Sequence, residues 1–183
     1  MAVPHSSAVI IPVPDAEPLV GAMRRGYDQS AAFGAPAHLT LLYPFFAAPV
    51  ADEVVDELAM MFATVQPLRM SFESVGRFPA TLFLKPAPRE PIVRLVEELV
   101  RRWPERPPYG GMFDEIVPHL TVANEQAEPR ILERLERMLA PGLPLVTTLA
   151  EAWLIESDEG GFWHRRAWFR FGSGVTERVR STP

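Results

Sequence analysis

Short apolar runs stopped by proline alternate with stretches in which apolar residues recur every three or four positions, a pattern that predicts strands separated by amphipathic helices. Residues 8–13 (AVIIPV) read as a buried strand ended by Pro14. Asp15 then stands where an N-cap belongs, before a helix carrying Leu19, Val20, Met23 and Tyr27. Residues 28–37 have loop composition, and residues 38–45 (HLTLLYPF) form a second strand stopped near Pro44. Val54, Val55, Leu58, Met61, Phe62 and Val65 line one face of a second helix. Leu68 to Val75 and Leu82 to Lys85 predict a hairpin turned across GRFPAT, residues 76–81. Ile92, Leu95, Val96, Leu99, Val100 and Trp103 mark a third helix ended by Pro104. Residues 105–118 are rich in Pro and Gly and read as a long loop, a kind that is often functional. Residues 119–124 (HLTVAN) give the next strand, and Ile131, Leu132, Leu135, Met138 and Leu139 the last helix. Two strands, about 145–156 and 162–171, are expected to close the chain as a hairpin across ESDEGG, leaving a loose polar tail after Gly172.

Composition narrows the function classes. At 183 residues and 48% hydrophobic content the chain can bury a core, and one domain spanning 1–183 is expected. The absence of cysteine removes disulfide frameworks, thiolate metal sites and cysteine nucleophiles, and fits a cytoplasmic setting. No apolar stretch reaches the roughly 18–20 residues of a membrane span, and MAVPHSSAVIIPVPD lacks the basic region of a secretory signal. A net charge of −5 argues against binding long duplex nucleic acid, though not against a small anionic ligand.

One pattern carries chemistry. His38-Leu39-Thr40 and His119-Leu120-Thr121 both open predicted strands after a proline-containing loop, each followed by a loop and a helix, so the chain contains a weak internal repeat. Alternation along a strand puts each His and its Thr on one face and the intervening Leu on the other. Side by side, two such strands would bring two imidazoles and two hydroxyls into one cleft. That set suits phosphate-ester chemistry, with one His as proton acceptor, the other as donor, and the hydroxyls holding phosphoryl oxygens. His5-Ser6-Ser7 matches the spacing but precedes the first strand and has no core face, and is set aside. Nucleotide-binding glycine loops and esterase elbows are absent. No carboxylate shares either His-Leu-Thr strand, which disfavours a metal site. Asp114 or Glu115 could orient His119 instead.

HLTLLYPF and VPHLTVA resemble the two signature strands of the 2H phosphoesterase superfamily, in its 2′-5′ RNA ligase-like branch, with further likeness in GRFPATLFL and PPYGGMFDEIVPHLTV. The resemblance implies an α+β, two-lobed, pseudo-twofold fold with antiparallel sheets lining a central cleft and helices outside. It implies His38 and His119 as catalytic groups, Thr40 and Thr121 as phosphate-binding groups, and no metal or other cofactor. The expected activity is opening of a 2′,3′-cyclic phosphate on a nucleotide or RNA terminus, by a monomer. Alternatives are reversible 2′-5′ RNA ligation or a non-catalytic module binding a phosphorylated ligand. Some relatives carry an Arg at or after the His-x-Thr strand, whereas this chain has Leu41, Leu42 and Ala123, Asn124. Positive charge must come from elsewhere, with Lys85, Arg166 and Arg170 as candidates. Phe78, Tyr109 and Phe113 are candidate stacking contacts for a base.

Overall fold

The computed structural model describes residues 5–112, 115–124 and 128–179. Strands β1 (Ser7–Pro12), β2 (His38–Leu42), β3 (Leu68–Phe78), β4 (Thr81–Ala87), β5 (Leu120–Ala123), β6 (Leu145–Leu149), β7 (Glu151–Ser157), β8 (Trp163–Arg170) and β9 (Thr176–Arg178) form two antiparallel sheets. One has the order β2-β1-β7-β8-β9 and the other β5-β4-β3-β6. The helices are α1 (Glu17–Tyr27), the short α2 (Gln29–Ala32), α3 (Asp52–Ala63), α4 (Glu90–Arg102) and α5 (Pro129–Leu139). This is the expected α+β architecture, and each sheet ends on the strand that carries one His-Leu-Thr motif.

The helices pack across the repeat. α3 lies on β7 and β8 and α5 on β4, while α1 packs on β5 and α4 on β2, so each lobe's first helix supports the other lobe's motif strand. Burial of one face of each helix drives this. Ile92, Leu95, Val96 and Leu99 of α4 and Leu132, Leu135 and Leu139 of α5 join one core with Leu39, Leu41, Leu82, Leu84, Leu120 and Val122. Met138 points outward and is exposed.

Five expectations need correction. Asp15 does not cap α1; its carboxylate accepts a hydrogen bond from the Thr147 hydroxyl at 2.6 Å, and a 3-10 turn at Pro14–Ala16 leads into the helix. The loop 28–37 contains α2, because Asp28 caps it by accepting from the Ser30 backbone N–H at 3.0 Å. β3 runs through Gly76 to Phe78, leaving only Pro79 and Ala80 as the turn. The stretch 145–156 is two strands, broken at Ala150, with β6 pairing β3 in one sheet and β7 pairing β1 and β8 in the other. The segment after Gly172 is not loose throughout, since β9 pairs with β8 beyond the positive-φ glycines Gly172 and Gly174.

Candidate active site

β2 and β5 are the facing edge strands of the two sheets, and they adjoin. The alternation expected for each motif is present. Leu39 and Leu120 are fully buried in the core, while His38, Thr40, His119 and Thr121 are partly exposed on the opposite face. Both strands also carry a bulge immediately after the Thr. Ile10 pairs with Thr40 while Val9 pairs with Leu42, and Phe83 pairs with Thr121 while Leu82 pairs with Ala123. The extra residues, Leu41 and Val122, let two successive side chains in each strand enter the core. The internal repeat therefore extends to backbone irregularity.

The two imidazoles are held in the same way. His38 Nδ1 donates to the Pro36 carbonyl at 2.6 Å, and His119 Nδ1 donates to the Val117 carbonyl at 2.7 Å. A carbonyl can only accept, so each neutral ring keeps its proton on Nδ1 and presents an unprotonated Nε2. Burial, the nearby Arg24 charge and the facing His119 lower the His38 imidazole from 6.5 to about 4, against the opposing pull of the Pro36 hydrogen bond and Asp28. Burial also lowers His119, opposed by its bond to Val117. Two neutral imidazoles therefore share the cleft before any anion arrives.

Beyond the motifs the cleft walls differ. Register carries one row from Thr40 through Ile10 and Trp153 to Trp168. Tyr43 meets Trp163 edge-on at 6.0 Å, and the Arg165 guanidinium lies 4.9 Å from the Trp153 ring centre. The matching row on the other sheet runs from Thr121 through Phe83 to Gly76, where a Cβ would collide with the Phe83 ring and the Lys85 stem. The missing side chain makes room for Phe83, which packs with Phe78, and both rings contact His119, at 5.4 and 5.3 Å.

The other predicted contacts divide. Lys85 is exposed on the cleft face, and one further step of the Leu84–Leu120 register puts it opposite His119. Tyr109, in a left-handed conformation at φ 53°, donates its backbone N–H to the Tyr43 carbonyl at 2.6 Å, and its hydroxyl hydrogen-bonds the Thr40 side chain. Burial raises its phenol above the ordinary value, opposed by the bond to Thr40. Phe78 belongs to a strand rather than a turn and covers His119. Arg166 is excluded from the cleft, because a bulge opposite Leu154 and Ile155 breaks the expected alternation with His164 and Trp168. Arg166 instead bonds Asp52 of α3 at 2.6 Å and lies 3.9 Å from Glu156. Arg170 stays on the Trp168 side, beyond the tryptophan and opposite Glu151. Glu115 bonds Arg89 at 3.1 Å on the surface, so the orienting acceptor of His119 is the Val117 carbonyl and not this carboxylate. Phe113 and Asp114 lie outside the described residues.

Arg24 and Asp28 were not anticipated as site residues. They form a 2.8 Å ion pair with side chains only 1% and 0% exposed, against both motifs. The signal was available: Arg24 falls four positions after Val20, on the buried face of α1, with Asp28 four further on. Among the described residues no cluster of three or more His, Asp or Glu could hold a metal ion, and no helix is long and apolar enough to cross a membrane.

Two antiparallel sheets that meet at paired His-Leu-Thr edge strands define the 2H phosphoesterase type of α+β protein. The chain belongs to the 2′-5′ RNA ligase superfamily, whose family model matches residues 12–161. Among solved structures it is similar to TT0787 of Thermus thermophilus, with 20% identity and a TM-score of 0.60 over 92% of this chain and 98% of that one. It is also similar to E. coli LigT complexed with NADP+ (15%, TM-score 0.59, 92% and 98%) and with 3′-AMP (15%, 0.57, 92% and 99%). At these identities the likeness is one of fold. Comparison with curated protein sequences gives no match.

Proposed function

We propose that this protein is a metal-independent phosphoesterase that opens a 2′,3′-cyclic phosphate, or a related cyclic phosphodiester, on a nucleotide or RNA end. The observation that carries this reading is the matched pair of imidazoles, each with Nδ1 fixed by a carbonyl two residues back and Nε2 available to the cleft. His38, buried beside the Arg24 guanidinium that disfavours its charged form, is the base, and His119, which has no such cation among its causes, is the acid. Water loses a proton to His38 Nε2 as its oxygen attacks phosphorus. One ring P–O bond breaks, and the departing ribose oxygen takes the proton from His119 Nε2, leaving a phosphate monoester. His119 becomes the imidazolium when the phosphate anion enters, since a nearby negative charge favours the charged form.

The Thr40 and Thr121 hydroxyls hold the non-bridging oxygens, and the Tyr109 hydroxyl fixes the rotamer of Thr40. Lys85 supplies positive charge beside His119. Trp153, Trp163 and Tyr43 offer aromatic rings on which the base of a nucleotide could stack, and the complexes of E. coli LigT with 3′-AMP and NADP+ support a small phosphorylated ligand. Both lobes supply one His each, so residues 1–183 act as one unit and a monomer suffices, in the cytoplasm that a cysteine-free chain suits.

The test is hydrolysis of nucleoside 2′,3′-cyclic phosphates by purified protein in EDTA. Wild-type activity with loss of at least about 10²-fold in both His38→Ala and His119→Ala supports the reading. Activity abolished by chelation, or untouched by either substitution, overturns it.

A further inference from the structure

We infer that Arg24 and Asp28 form a buried positioning pair that locks the two His-Leu-Thr strands to each other and sets the electrostatic surroundings of His38. The inference rests on the phosphoesterase reading only for its catalytic consequence. Arg24 reaches both motifs at once. Its Nη1 donates to the Thr121 carbonyl at 2.6 Å, and its Nη2 to the Pro36 and Ala35 carbonyls at 3.0 and 3.3 Å. Pro36 is the residue whose carbonyl accepts from His38 Nδ1, so one guanidinium grips the peptide that orients His38 and the peptide that carries Thr121. Asp28 completes the clamp. It holds Arg24 at 2.8 Å and accepts from Asn124 Nδ2 at 3.1 Å, while the Asn124 backbone N–H bonds the Tyr27 carbonyl at 2.8 Å, fixing the end of β5.

Stability alone does not explain the pair. Replacing a buried ion pair by well-packed apolar side chains is often neutral or stabilising, because desolvation offsets the attraction. The other half of the fold provides the control, because α4, seated under β2 as α1 is under β5, buries only Ile92, Leu95, Val96 and Leu99. An apolar helix face is therefore compatible with that seat. What the charged pair adds is a forked donor reaching two backbone segments and a fixed positive charge close to one imidazole.

The charge has a sign that can be tested. The charged and titratable groups that act on His38 are Arg24 and Asp28 from α1 and its C-terminal end and His119 across the cleft, while Tyr109 bonds Thr40 on the same strand. Glu17 Oε1 accepts from the Ala37 N–H at 2.5 Å, beside the same loop. Arg24 disfavours the His38 imidazolium and Asp28 favours it, so removing each must shift the ring in opposite directions.

The experiment is NMR titration of the His38 and His119 rings in substrate-free wild type, Arg24→Met, Asp28→Asn and Arg24→Lys. Arg24→Met is expected to raise the His38 midpoint by about one unit or more, and Asp28→Asn to lower it, with His119 moving less in both. Arg24→Lys keeps the charge but cannot reach Thr121 and Pro36 together. It is expected to leave the His38 midpoint near wild type while kcat on a cyclic phosphate falls about tenfold or more with KM little changed. A His38 midpoint that stays put in both Arg24→Met and Asp28→Asn overturns the proposal, as does a fully active Arg24→Lys. If Arg24→Met does not fold, Asp28→Asn and Arg24→Lys still decide. The ring titrations need no substrate, so failure of the phosphoesterase reading leaves their outcome interpretable.

Discussion

The two halves of this protein repeat a tripeptide, a bulge and an edge strand, yet surround them differently. His38 sits beside a buried guanidinium, on the sheet whose cleft face carries Trp153 and Trp168, whereas His119 sits against Phe78 and Phe83. Repetition delivers matched geometry, with both rings bonded through Nδ1 to a carbonyl two residues back. The difference in surroundings separates the two groups chemically. Two interacting imidazoles release their protons in two steps that belong to the pair, and the surroundings decide which ring carries the proton in between. Burial lowers both rings, and the Arg24 charge in α1 adds to it at His38 alone, where α4 offers only apolar side chains on its buried face.

The largest effect expected is one that distinguishes the halves by leaving group. His38→Ala should lose about 10²–10⁴-fold on a cyclic phosphate and on a nitrophenyl phosphodiester alike, because both need the nucleophile activated. His119→Ala should lose at least about tenfold less on the nitrophenyl ester, since nitrophenolate departs without a proton. Equal losses for the two variants on both esters would mean that the halves do not divide the roles.

Stability against pH sharpens the same contrast. With a folded value of about 4 against 6.5 when unfolded, His38 binds fewer protons in the folded chain between those limits. Stability is therefore lost as the pH falls from 6.5 toward 4, by up to roughly 3 kcal/mol from this one group. His38→Gln should flatten denaturant-derived stability over that window, and His119→Gln should act in the same direction, since burial lowers that ring too. An unaltered slope in His38→Gln would show that its ring is not the desolvated one.

Gly76 probes the second wall. Gly76→Ala places a methyl inside the Phe83 ring and should cost about 1–3 kcal/mol, read as a lowered Tm, with Phe83→Leu in the same chain restoring part of it. No recovery in the double variant would place the strain elsewhere than Phe83.

Much of this arrangement was legible because it rests on period and punctuation. His38, Thr40, His119 and Thr121 could be put on one face by alternation alone, and the helices by their apolar stripes. What stayed hidden depends on tertiary partners. Ala150 breaks a continuous apolar-polar run only because its two sides join different sheets. Arg166 is turned toward Asp52 by a bulge that no local residue announces. The glycines before β9 mark a turn, but its pairing depends on β8. Arg24 was visible as a charge on an apolar stripe, yet its partners are carbonyls 11, 12 and 97 positions away.

The smallest expected effect tests the contact that Tyr109 makes with the first half. Tyr109 holds Thr40 through its hydroxyl, and its counterpart is missing at Thr121 among the described contacts. Tyr109→Phe removes one hydrogen bond while keeping the ring and the backbone bond to the Tyr43 carbonyl. The loss should be about 1 kcal/mol, a few-fold fall in kcat/KM on a cyclic phosphate. In a Thr40→Ala background the same substitution should do almost nothing, because the partner is already gone, whereas in Thr121→Ala its effect should persist in full. A double-mutant cycle that instead couples Tyr109 to Thr121 would place the loop over the other half of the cleft.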